Sequence, residues 1–268
     1  MKITTETKLY GIIGHPIKHS ISPGIHNFLF NYFHINAVYV AFDVESYMLK
    51  YTVNGLKALK IQGCNITLPY KEKIMKYIDE VDEEARIIGA VNTIKLEQGK
   101  IKGYNTDSIG FITSLKKHVP HIGGKKVAVI GAGGAARAVV YALLKENAFV
   151  MVFNRTYEKA VKLKEKFKNV KVYPLSQEEM LKDAKIIINA TSCGLNKDDE
   201  MLFSPSILKK DAVFYELIYD ETPLQYEARR RGIRTIDGKD MLIEQALISF
   251  YIWTDKRASS NQLGRLFK

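Results

Sequence analysis

Cysteine is nearly absent from this 268-residue chain, which carries only Cys64 and Cys193, far apart and in no metal-ligand spacing. That scarcity excludes a disulfide-stapled scaffold and a cysteine zinc site, points to a reducing compartment, and leaves no metal to expect. Long apolar runs are missing as well: none approaches the roughly 20 residues that span a bilayer, so no membrane partner is expected. The opening Met1-Lys2-Ile3-Thr4-Thr5-Glu6 lacks the apolar region of a secretory signal, and a soluble protein of a reducing compartment is the expectation. Acid is in short supply, 29 Asp and Glu against 40 Lys and Arg, for a net charge of +11. Such an excess attracts anions, whether nucleic acid or small molecules. Here it is dispersed. Lys159 to Lys171 interleaves with Glu158, Glu165 and apolar residues at helical spacing, which reads as a solvated helix face. Arg229-Arg230-Arg231 closes a helical stretch, where cations complement the helix dipole. With no helix-turn-helix and no basic-aromatic strand motif, no nucleic-acid partner is expected.

What is present is a large apolar fraction, 46%, enough for a substantial core. Over the first hundred or so residues apolar strands alternate with helical stretches. Thr7 to Gly14, Ala37 to Phe42 and Ile61 to Leu68 read as strands, with helices over 23–33, within 44–59 and over 71–78. Val91 to Leu96 and Lys100 to Tyr104, joined by Gln98-Gly99, read as a hairpin. From Ser108 onward a linking helix leads into a regular strand–helix alternation. Its strands are 126–130, 149–153, 170–173, 186–189, 212–217 and a short last one at Thr235-Ile236, the pattern of a doubly wound parallel sheet. A strongly apolar helix, Asp240 to Trp253, follows. The fold class is therefore α/β in two parts: an N-terminal α/β domain over 1–106 and a Rossmann-type domain over 107–239.

Gly131-Ala132-Gly133-Gly134-Ala135-Ala136 has the G-x-G-x-x-A form of a dinucleotide fingerprint, with a strand before it and a helix after it. Gly131 permits the tight turn, Gly133 lets backbone approach the pyrophosphate, Ala136 keeps helix and strand close, and the helix N-terminus faces the phosphate charge. The next strand ends in Asn154-Arg155-Thr156 rather than in the Asp or Glu that binds an unphosphorylated ribose. Guanidinium, amide and hydroxyl bind a 2′-phosphate that a carboxylate would repel, so NADP is the expected cofactor.

The first domain crowds polar residues into short segments. His19-Ser20-Ile21-Ser22-Pro23 sets two hydroxyls on a loop entering a helix, and Asn65 and Thr67 share a face at a strand end. Lys71 lies just past Pro69 at an expected helix start, where a cation opposes the dipole. Asn92-Thr93 and Asn105-Thr106-Asp107 follow. Taken singly these have ordinary explanations: Ser22 as a helix cap, Thr67 as a strand former, Asn105 as a turn, Asp107 as the cap of the next helix. Together they offer several neutral hydrogen-bonding groups, one cation and one carboxylate, the set a polyhydroxylated acid needs.

In order along the chain, these segments resemble the shikimate dehydrogenase family: His19-Ser20-x-Ser22-Pro23-x-x-His26-Asn27, Asn65-x-Thr67-x-Pro69-x-Lys71, Gly89-Ala90-Val91-Asn92-Thr93, and Gly103-x-Asn105-Thr106-Asp107-x-x-Gly110. So do Gly131 to Ala136, Asn154-Arg155-Thr156, Asn189-Ala190-Thr191-Ser192-x-Gly194, Thr222-Pro223-Leu224, and Gly238-x-x-Met241-Leu242-x-x-Gln245-Ala246. The resemblance implies NADPH-dependent reduction of 3-dehydroshikimate to shikimate, in chorismate and aromatic amino-acid biosynthesis, and with that pathway a cytoplasmic protein. It implies that Ser20 and Ser22, with Tyr219, hold the substrate carboxylate, that Thr67, Asn92 and Gln245 hold hydroxyls, and that Lys71 and Asp107 form a catalytic dyad. Gly131, Gly133, Gly134, Ala135, Asn154, Arg155, Thr156 and Thr191 would hold the cofactor, with Gly238 and Met241 flanking the nicotinamide. The last helix would return to the first domain, assigning 240–268 to it, and the substrate would bind between the two domains, with closure expected. The assembly expected is a monomer or homodimer.

Two departures stand out. The family usually has Asp where this chain has Glu216, in Tyr215-Glu216-Leu217-Ile218-Tyr219, and Asp220-Glu221 replaces a common proline. They bear on the packing around Tyr219 and on the nicotinamide end. An NAD-dependent quinate/shikimate dehydrogenase would carry a carboxylate at the Asn154 position, and a non-catalytic NADP-sensing or nucleic-acid-binding protein would have no need of Lys71 and Asp107.

Overall fold

The computed structural model describes residues 3–196 and 198–264. The chain forms two compact units, Met1–Thr106 with Ile243–Lys268, and Asp107–Leu242. The crossing point lies three residues later than the sequence reading places it, inside one continuous helix, and the expected members 265–268 of the first domain lie outside the described residues.

The first unit is built on strands β1 (Lys8–Gly14), β2 (Ala37–Asp43), β3 (Gly63–Ile66), β4 (Glu80–Val81), β5 (Thr93–Glu97) and β6 (Lys100–Tyr104), with helices α1 (Ser22–Tyr32), α2 (Leu49–Ala58) and α3 (Glu83–Ile88). They form one mixed sheet, ordered β2-β1-β3-β5-β6-β4. β1 pairs in parallel with β2 and β3, and β5 runs antiparallel to β3 and β6. The hairpin between β5 and β6 turns on Gln98 and Gly99, both at positive φ (50° and 77°), the geometry whose twist matches paired strands. α3 starts where the Asp82 carboxylate accepts from the Glu84 N–H at 3.1 Å and stops at Gly89 in the left-handed region.

The expected helix over 71–78 is replaced by a single 3₁₀ turn, Lys73–Lys76. Ile74 and Ile78 stand four positions apart, as on a helix, but the Lys71 carbonyl accepts the Val91 N–H at 2.8 Å and so serves a neighbouring segment rather than a helical ladder. Lys71 thus opens no α-helix, and the dipole argument attached to it falls away.

The second unit contains α4 (Asp107–His118), β7 (Lys126–Ile130), α5 (Gly134–Lys145), β8 (Phe149–Asn154), α6 (Tyr157–Lys166), β9 (Val170–Pro174), β10 (Ile186–Asn189), β11 (Val213–Glu216), α7 (Pro223–Arg230) and β12 (Arg234–Ile236). All neighbouring strands are parallel in the order β12-β11-β10-β7-β8-β9, so the strand order reverses between β7 and β10, as in a Rossmann fold. Both faces are buried. Along β7, Val127 and Val129 join a cluster with Val139, Val140, Leu143, Val150 and Val152, while Ala128 and Ile130 join one with Met151, Phe153, Ile187 and Phe214. The lysines 159, 162, 164 and 166 lie on the exposed face of α6.

Helix α8 (Lys239–Thr254) passes from the second unit into the first, and α9 (Ser260–Leu263) ends the described chain. No described helix is long and apolar enough to cross a membrane.

Candidate active site

In the first unit the candidate substrate groups lie at the C-terminal ends of β1 and β3 and beside the start of β5. Gly14 ends β1, and a Cβ there would come within 2.4 Å of the Thr67 methyl, so the glycine is what lets the Thr67 loop close over that strand end. The Thr67 N–H donates to the Ile13 carbonyl at 2.9 Å, which extends the pairing one residue past β3. The Ser20 hydroxyl accepts the Ser22 N–H at 3.3 Å, and Ser22 is buried at the first turn of α1. α1 is preceded by Ile21 with no side-chain cap, so Ser22 is not the cap that its place before Pro23 invites. Nor does Asp107 precede its helix: it is the buried first residue of α4. Asn105 is more than a turn residue, since its buried amide donates to the Ala90 carbonyl at 2.9 Å.

Asn92 is held from all sides. Its backbone pairs with both neighbours, donating to Tyr104 at 3.0 Å and accepting from Ile66 at 2.8 Å. Its side-chain oxygen accepts the Thr106 N–H at 2.7 Å, and its amide donates to the Thr106 hydroxyl at 2.9 Å and to the Gln245 oxygen at 3.3 Å. Below it runs a chain of buried polar groups. Tyr39 Oη donates to the Asn65 oxygen at 2.7 Å, the Asn65 amide donates to Ser249 Oγ at 3.0 Å, and Ser249 Oγ lies 2.8 Å from Thr93 Oγ1 and 3.2 Å from Thr106 Oγ1. Ser249 also donates to the Gln245 carbonyl one turn earlier on α8 at 3.0 Å. Asn92 and Gln245 are brought together, 153 positions apart, on a pre-formed scaffold.

Sequence reasoning assigned no role to Ser249. Its signal was its position one helical turn after Gln245, on the same face. His26, in the recognised serine segment, belongs to the core: it stacks on Tyr39 at 4.5 Å beside Trp253 at 5.1 Å, and burial pushes its imidazole down to about 3. Lys71 is half-buried, its backbone tied to Val91 next to Asn92.

The second unit presents the dinucleotide groups at the C-terminal edge of its sheet, where the strand order reverses. Gly131 leaves β7 at φ 121°, a conformation that disfavours any side chain, and a Cβ there would lie 2.9 Å from the Ala190 carbonyl oxygen. A Cβ on Gly133 would meet no described atom within 4 Å, so its backbone borders open space. Gly133 precedes α5 without a side-chain cap, leaving the first N–H groups of Gly134, Ala135 and Ala136 turned outward, while Ala136 is buried. An open glycine edge before an uncapped helix fits a pyrophosphate.

Asn154 ends β8 and Arg155 and Thr156 follow it, both exposed, with the Asn154 amide donating to the Thr156 carbonyl at 2.7 Å. No carboxylate occupies this strand end. Thr191 is fixed by Asn189, whose side-chain oxygen accepts from its N–H at 3.0 Å and its hydroxyl at 2.7 Å. Gly238 packs on the segment after β11, where a Cβ would lie 2.1 Å from the Leu217 carbonyl oxygen. Met241 is buried in a cluster that includes Ala132, Tyr215 and Ile236. Tyr219 is half-buried, and desolvation raises its phenol above the usual range. Glu216 is fully buried, and burial lifts its carboxyl to about 7 despite donors from Asn189, Ile218 and Thr222. Among the described residues no cluster of His, Cys, Asp and Glu could hold a metal.

Residues 12–94 match the family model of the shikimate dehydrogenase substrate binding domain, and residues 113–199 match that of shikimate/quinate 5-dehydrogenase. The chain belongs to the shikimate dehydrogenase family. A shikimate dehydrogenase (NADP+) of Aquifex aeolicus is 47% identical over 251 residues, covering 94% of this chain and 93% of its own. A crystal structure of a shikimate dehydrogenase in complex with NADP+ superposes with a TM-score of 0.91 at 42% identity, over 98% of this chain and 95% of the other. That of the Thermus thermophilus enzyme with NADP(H) and shikimate gives 0.86 at 32% identity, over 96% and 97%. Within the shikimate dehydrogenase family, the first match spans the segment from Ile12 to Ile94 that carries Ser20, Ser22, Thr67, Lys71 and Asn92, and the second spans the dinucleotide loop and the end of β8.

Proposed function

We propose that this protein is an NADP-dependent shikimate dehydrogenase that reduces 3-dehydroshikimate to shikimate, a step of aromatic amino-acid biosynthesis. The observation that carries the cofactor reading is the end of β8: an exposed arginine and threonine and no carboxylate, one strand from a glycine loop with an uncapped helix behind it. When bound, NADPH supplies the hydride to the substrate's C3 carbonyl carbon. The remaining work falls to side chains. Lys71 donates the proton that the C3 oxygen takes up as the carbonyl is reduced, and it receives that proton back in the reverse direction. Asp107 is its proposed partner in a dyad, orienting the ammonium. Ser20, Ser22 and Tyr219 take the substrate carboxylate, and Thr67, Asn92 and Gln245 take ring hydroxyls.

The pre-formed amide pair of Asn92 and Gln245 supports hydroxyl recognition, because their side chains are already oriented by Thr106 and by each other before any substrate arrives. Gly131, Gly133, Gly134, Ala135 and Thr191 hold the phosphates, Asn154, Arg155 and Thr156 the 2′-phosphate, and Gly238 and Met241 the nicotinamide. The same proposal places the enzyme in the cytoplasm as a monomer or homodimer, which sedimentation at micromolar concentration tests.

The deciding assay follows NADPH formation from NADP+ with shikimate, with NAD+ and quinate as alternative substrates. Turnover with NADP+ and shikimate far above the other pairs is expected. Preference for NAD+ or quinate would favour the quinate/shikimate reading, and binding of NADPH without turnover of any pair would make the chain a non-catalytic sensor.

A further inference from the structure

A fully buried carboxylate outside the proposed chemistry needs a reason, and Glu216 has one in its neighbours. It closes β11, and three donors converge on its two oxygens. Asn189 Nδ2 and Thr222 Oγ1 each donate to Oε2 at 3.0 Å, and the Ile218 N–H donates to Oε1 at 3.2 Å. The three come from different places: the end of β10, the loop after β11, and the cap of α7.

Asn189 carries the hold further. Besides fixing Thr191 through its oxygen, its amide reaches the Cys193 carbonyl at 3.2 Å. The two loops then press on glycines of the dinucleotide site. The loop after β10 backs Gly131, through the Ala190 carbonyl, and the loop after β11 backs Gly238, through the Leu217 carbonyl. They also meet each other, since a Cβ on Gly194 would come within 2.9 Å of the Thr222 methyl.

We propose that Glu216 is a positioning residue for the cofactor: by accepting from Asn189, Ile218 and Thr222 it locks the loops after β10 and β11 in the arrangement that receives the nicotinamide half of NADP. It touches neither cofactor nor substrate and acts through Asn189, Thr191 and the backbone behind Gly238. The ionised form, populated above about pH 7 where NADPH binding is to be measured, suits the task because it only accepts. The amide of glutamine would turn a donor toward at least one of three donors already in place. The proposal rests on the NADP reading above.

The test measures NADPH affinity of the full chain by calorimetry, alongside KM for NADP+ and for shikimate. Wild-type binding and turnover check the NADP reading; the variants, compared with wild type, check Glu216. Glu216→Gln is expected to weaken NADPH binding about tenfold, the scale of one lost charge-assisted hydrogen bond, with KM for shikimate within about twofold. Glu216→Asp keeps an acceptor-only group and is expected to restore affinity to within about threefold of wild type. Wild-type NADPH affinity in Glu216→Gln overturns the proposal. So does an equal rise in both KM values, or an Asp variant no better than Gln, since a merely structural carboxylate predicts those. Should Glu216→Gln fail to fold, Thr222→Val decides: it deletes one donor and leaves Glu216 in place. An NADPH affinity lowered severalfold then supports the clamp, and an unchanged one overturns it.

Discussion

Trp253, near the end of α8, donates its indole N–H to the carbonyl of Ile94 in β5 at 2.9 Å, fastening the last long helix to the sheet of the first unit. Gly63 of β3 makes room for that contact, since a Cβ there would lie 2.3 Å from the indole nitrogen and 2.9 Å from the Ile94 carbonyl oxygen. Gly63→Ala is therefore expected to lower stability by about 1–3 kcal/mol, the usual cost of overpacking. Chemical denaturation measures it, and unchanged stability would mean that α8 shifts freely on the sheet.

Arg155 is expected to discriminate between cofactors. Arg155→Ala removes a charged donor from the end of β8, so KM for NADPH should rise by about tenfold or more while KM for NADH barely changes. Equal effects on both cofactors would assign Arg155 to adenine stacking alone.

Lys71→Ala is expected to lower kcat by about a hundredfold or more, in line with general acid–base contributions, with a smaller change in KM for shikimate. A loss confined to KM would make Lys71 a binding residue.

Two buried groups pull stability in opposite directions with pH. His26 is held down to about 3 from an ordinary 6.5, so its contribution is complete above pH 6.5 and falls as pH drops toward 3, because the unfolded chain binds the proton first. Glu216 is raised to about 7 from 4.5, so its contribution is complete below pH 4.5 and is lost as pH rises through 7. Each slope is about 1.4 kcal/mol per pH unit at most, and between pH 4.5 and 6.5 they oppose each other. Glu216→Gln removes one slope only. Its stability relative to wild type should therefore improve steadily as pH is raised from about 5 to 7. Thermal melting across that range checks it, and a constant difference would show that Glu216 does not titrate there.

The second unit was the more legible part. Its central strands β7, β8, β10 and β11 each bury two faces and its dinucleotide loop is local, so apolar runs, glycine spacing and the residues ending β8 could be read position by position. The segment after Pro69 was not. Ile74 and Ile78 have helical spacing, yet the Lys71 carbonyl is taken by Val91, in the loop before β5 and twenty positions away. Periodicity reports which residues are apolar and is silent about which neighbour claims a backbone group.

The same division runs through the site. From sequence alone came the α/β class, the glycine turn at Gly131, the carboxylate-free end of β8 and the identities of the candidate polar residues, because each depends on a residue's own conformational or chemical preference. Only the tertiary structure decided that Ser249 joins Asn65 to Thr93 and Thr106, that His26 is core rather than site, and that Glu216 is buried at the meeting of two loops. Those outcomes turn on strand order and helix packing, which bring together donors and acceptors from distant parts of the chain, and a buried polar group takes its meaning from the partners that satisfy it.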